Sequence, residues 1–176
     1  MKKLALTLGV VSMTALSGCG WWGSSDEKMA AVVCPEVGMM QQASEITVFH
    51  GTPGAQPQDD VEAVGTLDWQ GACNLDKEGV AKIKMKVNFA AKKGPKGETL
   101  KEQPLPYFVA VLDSDENVLQ REEFATKVDF DASNMGMTEE EHSIKFPVPS
   151  KDAAQNYKVV VGFKLTPEQA AYNKAN

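Results

Sequence analysis

Residues 81–89 read AKIKMKVNF, in which Ile83, Met85, Val87 and Phe89 alternate strictly with Lys82, Lys84, Lys86 and Asn88. A period of two sends one set of side chains into a core and the other into water, so this stretch predicts a half-buried β-strand. The same rhythm recurs in residues 45–50, 61–69 and 143–148, with Pro147 marking the end or edge of the last. Residues 157–165 place Tyr157, Val159, Val161 and Phe163 on one face. Residues 107–112 (YFVAVL) are apolar throughout, which predicts a central strand covered on both sides. Residues 118–124 and 127–130 read as two further short strands. Turn residues separate them at 51–60 and 113–117. Residues 92–106 have no apolar period and hold three prolines, and predict a long polar loop open to solvent.

Seven or eight short strands with regular turn signals point to an all-β fold. The expected architecture is an immunoglobulin-like or fibronectin-III-like β-sandwich. One helix closes the chain. Thr166-Pro167-Glu168-Gln169 has Thr at the N-cap, Pro at the first helical position and Gln at the third, which is a capping box.

The first residues obey another logic. Lys2 and Lys3 precede an apolar run over 4–16, the length of a signal-peptide core and too short to span a bilayer. Leu16-Ser17-Gly18-Cys19 follows, and it resembles the lipobox of bacterial lipoproteins. That resemblance implies a signal peptide over 1–18 and acyl chains on Cys19, which tether the protein to a bilayer. It also implies a place in the cell envelope facing the periplasm. In enteric lipoproteins an Asp after the acylated Cys favours retention at the inner membrane; Gly20 here favours the outer one. Trp21 and Trp22 would then lie at headgroup level, where indole is apolar on one edge and hydrogen-bonded on the other. Residues 19–31 read as a short polar tether, and 32–176 as the sandwich domain. Beyond the lipobox, the body resembles small bacterial envelope lipoproteins.

The formal net charge of −6 becomes −8 once Lys2 and Lys3 leave with the signal peptide. So acidic a chain does not suit nucleic acid. Of three cysteines, one is assigned to lipid. Cys34 and Cys73 remain, and in an exported chain they are expected to form a disulfide.

Candidate chemistry is sparse. Asp113-Ser114-Asp115-Glu116-Asn117 starts like a calcium loop but has Val118 and Phe124 where glycine and glutamate are required, so a hairpin turn is expected. Glu139-Glu140-Glu141-His142 reads as a solvated turn. Cys34, His50, Cys73 and His142 lack the paired spacing of a zinc site. No G-x-S-x-G or glycine-rich phosphate loop is present, and no cofactor is implied. The informative surface feature is basic: Lys82, Lys84 and Lys86 on one strand face, then Lys92, Lys93, Lys96 and Lys101. These seven residues are the candidate partner-binding surface, and lysines on an outer face also discourage edge pairing. The expectation is a non-catalytic interaction or accessory subunit of an envelope assembly, its partner an envelope protein. The alternative is a small-molecule or glycan binder, and an enzyme comes third.

Overall fold

A computed structural model describes residues 34–175. The expected signal peptide, Cys19, Trp21, Trp22 and the tether lie outside the described residues. Eight strands form two four-stranded sheets, with one short helix at the C-terminal end. The strands are β1 (Glu36–Met39), β2 (Glu45–Phe49), β3 (Val61–Leu75), β4 (Val80–Lys93), β5 (Glu102–Leu112), β6 (Val118–Asp129), β7 (Met135–Pro147) and β8 (Lys158–Phe163); the helix is α1 (Pro167–Ala175). Sheet A has the order β1-β8-β5-β6 and sheet B the order β2-β3-β4-β7. This is the β-sandwich that the alternation predicts. Among the described residues no helix is long and apolar enough to cross a membrane.

The core lies between the inner faces. Ile83, Met85, Val87 and Phe89 of β4 are buried against Tyr107, Val109 and Val111 of β5 and Val159, Val161 and Phe163 of β8. The Phe89 ring centroid lies 4.7 Å from that of Tyr107 and 6.1 Å from that of Phe163. Each such side chain contributes about 1.5–3 kcal/mol by leaving water. β5 and β8 are the inner strands of sheet A, as the unbroken YFVAVL run requires.

The loop expected over 92–106 is shorter than its composition suggests. β4 continues to Lys93 and β5 begins at Glu102, so only residues 94–101 connect them. Pro104 and Pro106 sit inside β5, opposite Lys127 and Ala125 of β6. The reason is local. β8 pairs β5 only from Tyr107 onward, and the Pro106 carbonyl accepts the Lys164 N–H on that side. Prolines there remove donors that no ladder needs. The remaining connection is pinned to the start of β3: Gly94 N–H donates to the Glu62 carbonyl at 2.7 Å and Lys96 N–H to the Val61 carbonyl at 2.9 Å. The separate strand expected over 127–130 is the end of β6. β1 was not legible, being four residues that among the described residues pair with β8 alone, in parallel.

A disulfide joins Cys34 to Cys73, 39 residues apart in sequence. It fastens the segment that enters sheet A through β1 onto β3 of sheet B. At the other end of the chain, α1 carries the expected capping box. Gln169 N–H donates to Thr166 Oγ1 at 3.3 Å, and Thr166 N–H donates to Gln169 Oε1 at 2.8 Å. The helix lies against β2, the first strand of sheet B. Gln169 Nε2 donates to the Thr47 carbonyl and Asn173 Nδ2 to the Glu45 carbonyl, so two side chains one helical turn apart satisfy alternate carbonyls of an edge strand.

Candidate functional site

The lysine surface begins on β4. Lys82, Lys84 and Lys86 project from the outer face of sheet B, opposite the buried set, as the alternation predicts. Their neighbours across the sheet are unlike. Lys86 stands between Gln70 and Glu141, Lys84 between Ala72 and Ser143, and Lys82 between Asn74 and Lys145. Lys86 Nζ donates to Glu139 at 2.9 Å and lies 3.7 Å from Glu141; Lys82 Nζ lies 2.8 Å from Asp76. These partners hold both ammonium groups above the usual lysine range, chiefly through the hydrogen bonds to Asp76 and Glu139. Lys84 forms no ion pair among the described residues. It borders a shallow depression of about 650 Å³ with Lys86, Gln70 and Glu141.

The other four lysines do not join this group. Lys92 lies ten residues beyond Lys82 on the same strand, about 33 Å away at the rise of extended chain. Lys93 turns inward, with Nζ 3.3 Å from the Glu98 carbonyl and 5.3 Å from the centroid of the Phe130 ring. Lys96 and Lys101 are exposed on the pinned 94–101 connection. The surface is therefore a band along the length of sheet B with alternating charge, not one basic patch.

A second site lies where β6 and β7, the edge strands of the two sheets, run past each other without a shared ladder. The solvated turn expected at 139–142 is instead the middle of β7. Its outward residues Glu139 and Glu141 meet water and Lys86, while its inward residues Glu140 and His142 meet sheet A. Tyr107 Oη lies 2.8 Å from His142 Nε2, and Thr126 Oγ1 donates to Glu140 Oε1 at 2.8 Å. Phe124 packs on the imidazole at 4.5 Å between centroids. Burial pushes the Tyr107 hydroxyl well above its ordinary range, and the Glu140 charge adds to this. Burial lowers the His142 pKa, against the opposing pull of Glu140 and Glu122. A protonated phenol beside a neutral imidazole fits Tyr107 donating to Nε2, which occupies the ring's lone pair. A recess of about 130 Å³ adjoins the pair, between Gln120, Glu122 and Ser143. The sequence signal that would have found this seam is the polar inward positions of β6 and β7, where strict alternation asks for apolar residues.

The remaining candidates are placed elsewhere. His50 is 69 % exposed and bonded to Glu62 at 2.7 Å. Asp113 turns its carboxylate back on its own loop, accepting the backbone N–H groups of Asp115 and Asn117, both at 2.9 Å. Those hydrogen bonds, and first the one from the Asn117 side chain, hold it below the usual carboxylate range. It caps the β5–β6 hairpin. Among the described residues no three His, Cys, Asp or Glu side chains gather as a metal site would.

No family model matches the sequence, and neither does any curated protein. Among solved structures, the variable domain of the AgI/II polypeptide BspA from Streptococcus agalactiae is similar at 10% identity, with a TM-score of 0.20. That similarity covers 70% of this chain and 73% of the other.

Proposed function

We propose that this chain is a lipid-anchored, non-catalytic interaction module of a bacterial cell envelope. Acyl chains on Cys19 tether it to a bilayer, the outer membrane rather than the inner, and the sandwich faces the periplasm. It presents the outer face of sheet B and the 94–101 connection to an envelope protein.

The observation that carries this reading is the outer face of sheet B, where lysines and carboxylates form a band along β4. The Cys34–Cys73 disulfide lies close to the β3–β4 turn, at one end of this band. The 94–101 connection closes the far end of β4, fourteen strand residues away or about 45 Å. Lys96 and Lys101 are exposed there and carry the charged band past the end of the strand, a surface suited to a protein partner. A filled core behind a broad charged face also suits docking better than enclosure of a ligand.

In-cell crosslinking of the full-length lipidated protein, with mass spectrometry of linked lysines, tests this. The expected result is reproducible links from Lys84, Lys92, Lys96 or Lys101 to one envelope protein. Abundant lipidated protein that captures no protein partner would sink the interaction reading and turn attention to glycan or small-molecule binding.

A further inference from the structure

The outer face of sheet A is not flat. Where α1 folds back against β2 and the 41–43 turn, a groove of about 690 Å³ opens between the helix, that turn and β5. Its floor is apolar. Phe108 and Ala43 are buried there and close over Gly162, where an added Cβ would lie 3.0 Å from Ala43 and 3.3 Å from the Phe108 ring. Leu165 continues the floor and Ala170 and Ala171 form a small-residue wall. Met40, 42% exposed at the lip, supplies the adaptable surface typical of binding sites.

The mouth is cationic. Arg121, Lys164 and Lys174 border the groove. The Arg121 guanidinium lies 3.9 Å from the centroid of the Phe108 ring, which fixes a charge directly over the apolar floor. Arg121 and Lys164 share one carboxylate, that of Glu123, and Lys174 forms no ion pair among the described residues. Three cations against one carboxylate make a positive mouth on a chain of net charge −6. An apolar groove of this volume falls in the range of small-ligand sites, about 300–1,000 Å³, and a charged mouth orients what enters.

We propose that this groove binds a single-chain amphipathic anion, a free long-chain fatty acid. Its alkyl chain lies along Leu165, Ala170 and Ala171, and its carboxylate meets Arg121, Lys164 and Lys174. The site is on sheet A, separate from the lysine band of sheet B, so it stands or falls independently of the docking reading.

The test uses the full chain carrying Cys19→Ser in detergent-free buffer, titrated calorimetrically with dodecanoate below its micelle-forming concentration. Saturable one-to-one binding is expected. Ala171→Trp, an exposed position that fills the groove, should weaken it by about tenfold or more, and Lys174→Glu by several-fold. Dodecyltrimethylammonium, with the same chain and opposite head charge, should bind about tenfold more weakly. Absence of dodecanoate binding overturns the proposal, as does equal affinity for the cationic surfactant. So does binding that neither substitution alters while both variants keep the parent melting temperature. Flotation with anionic phosphatidylglycerol vesicles is expected to be indifferent to both substitutions. If flotation depends on them and dodecanoate does not bind, the occupant is a bilayer headgroup and the proposal is wrong.

Discussion

Thr47 shows how one side chain can carry an uncompensated cost. It is 1% exposed, sits on β2 beneath α1, and its hydroxyl has no hydrogen-bond partner. A buried hydroxyl that has lost water without gaining a partner costs about 1–3 kcal/mol. Valine has nearly the same shape and the same strand preference. Thr47→Val is therefore expected to raise stability by about 1 kcal/mol, read as a higher urea midpoint with an unchanged slope. A loss of stability would mean that the hydroxyl has a partner at the α1–β2 contact. Its backbone carbonyl, bonded to Gln169, is untouched by the substitution.

At the scale of elements, β7 is joined to β5 and β6 by side chains where backbone pairing is absent. Tyr107–His142 and Thr126–Glu140 span the seam between the two sheets. The His142 pKa in the folded protein lies below its ordinary value, because the charged ring is desolvated there. The unfolded chain therefore binds a proton more readily than the folded one, and stability rises with pH across that interval. The contribution is complete above about pH 6.5 and is lost as pH falls toward the depressed value. His142→Gln, which keeps an acceptor for Tyr107, is expected to flatten the melting-temperature profile between pH 7 and pH 5. A variant whose profile parallels the parent's would show that His142 does not titrate in this window. The carboxylates held low by hydrogen bonds, such as Asp76, Asp113 and Asp131, act only in more acidic solution.

At the scale of the molecule, the Cys34–Cys73 disulfide links the segment leading into β1 of sheet A to β3 of sheet B. Cross-linking residues 39 apart restricts the unfolded chain by about 4 kcal/mol in the loop-entropy model. Replacing both cysteines by alanine is expected to lower unfolding free energy by about 2–5 kcal/mol in denaturant titration. It should also release β1, whose one strand partner among the described residues is β8, to faster amide exchange than β5. A loss below about 1 kcal/mol would mean that packing alone holds β1 in place.

The sequence by itself determined the central strands and which of their faces is buried, though not β1, the start of β5 or the middle of β7. Period-two alternation in residues 81–89 and the unbroken 107–112 run are local properties, and burial of apolar side chains enforces them. Cysteine parity and the capping box likewise need no knowledge of distant residues. Tertiary structure alone decided what depends on neighbours far along the chain. Pro104 and Pro106 sit within a strand because β8 ends its pairing at Tyr107. Glu140 and His142 sit inside because Thr126 and Tyr107, on other strands, satisfy them. The seven lysines spread along β4 and the 94–101 connection because a strand extends about 3.3 Å per residue, and three of them meet carboxylates or a ring that no spacing could foretell. The groove beneath α1 needs the helix held on the edge of β2, where Gln169 and Asn173 bond to carbonyls more than a hundred residues away.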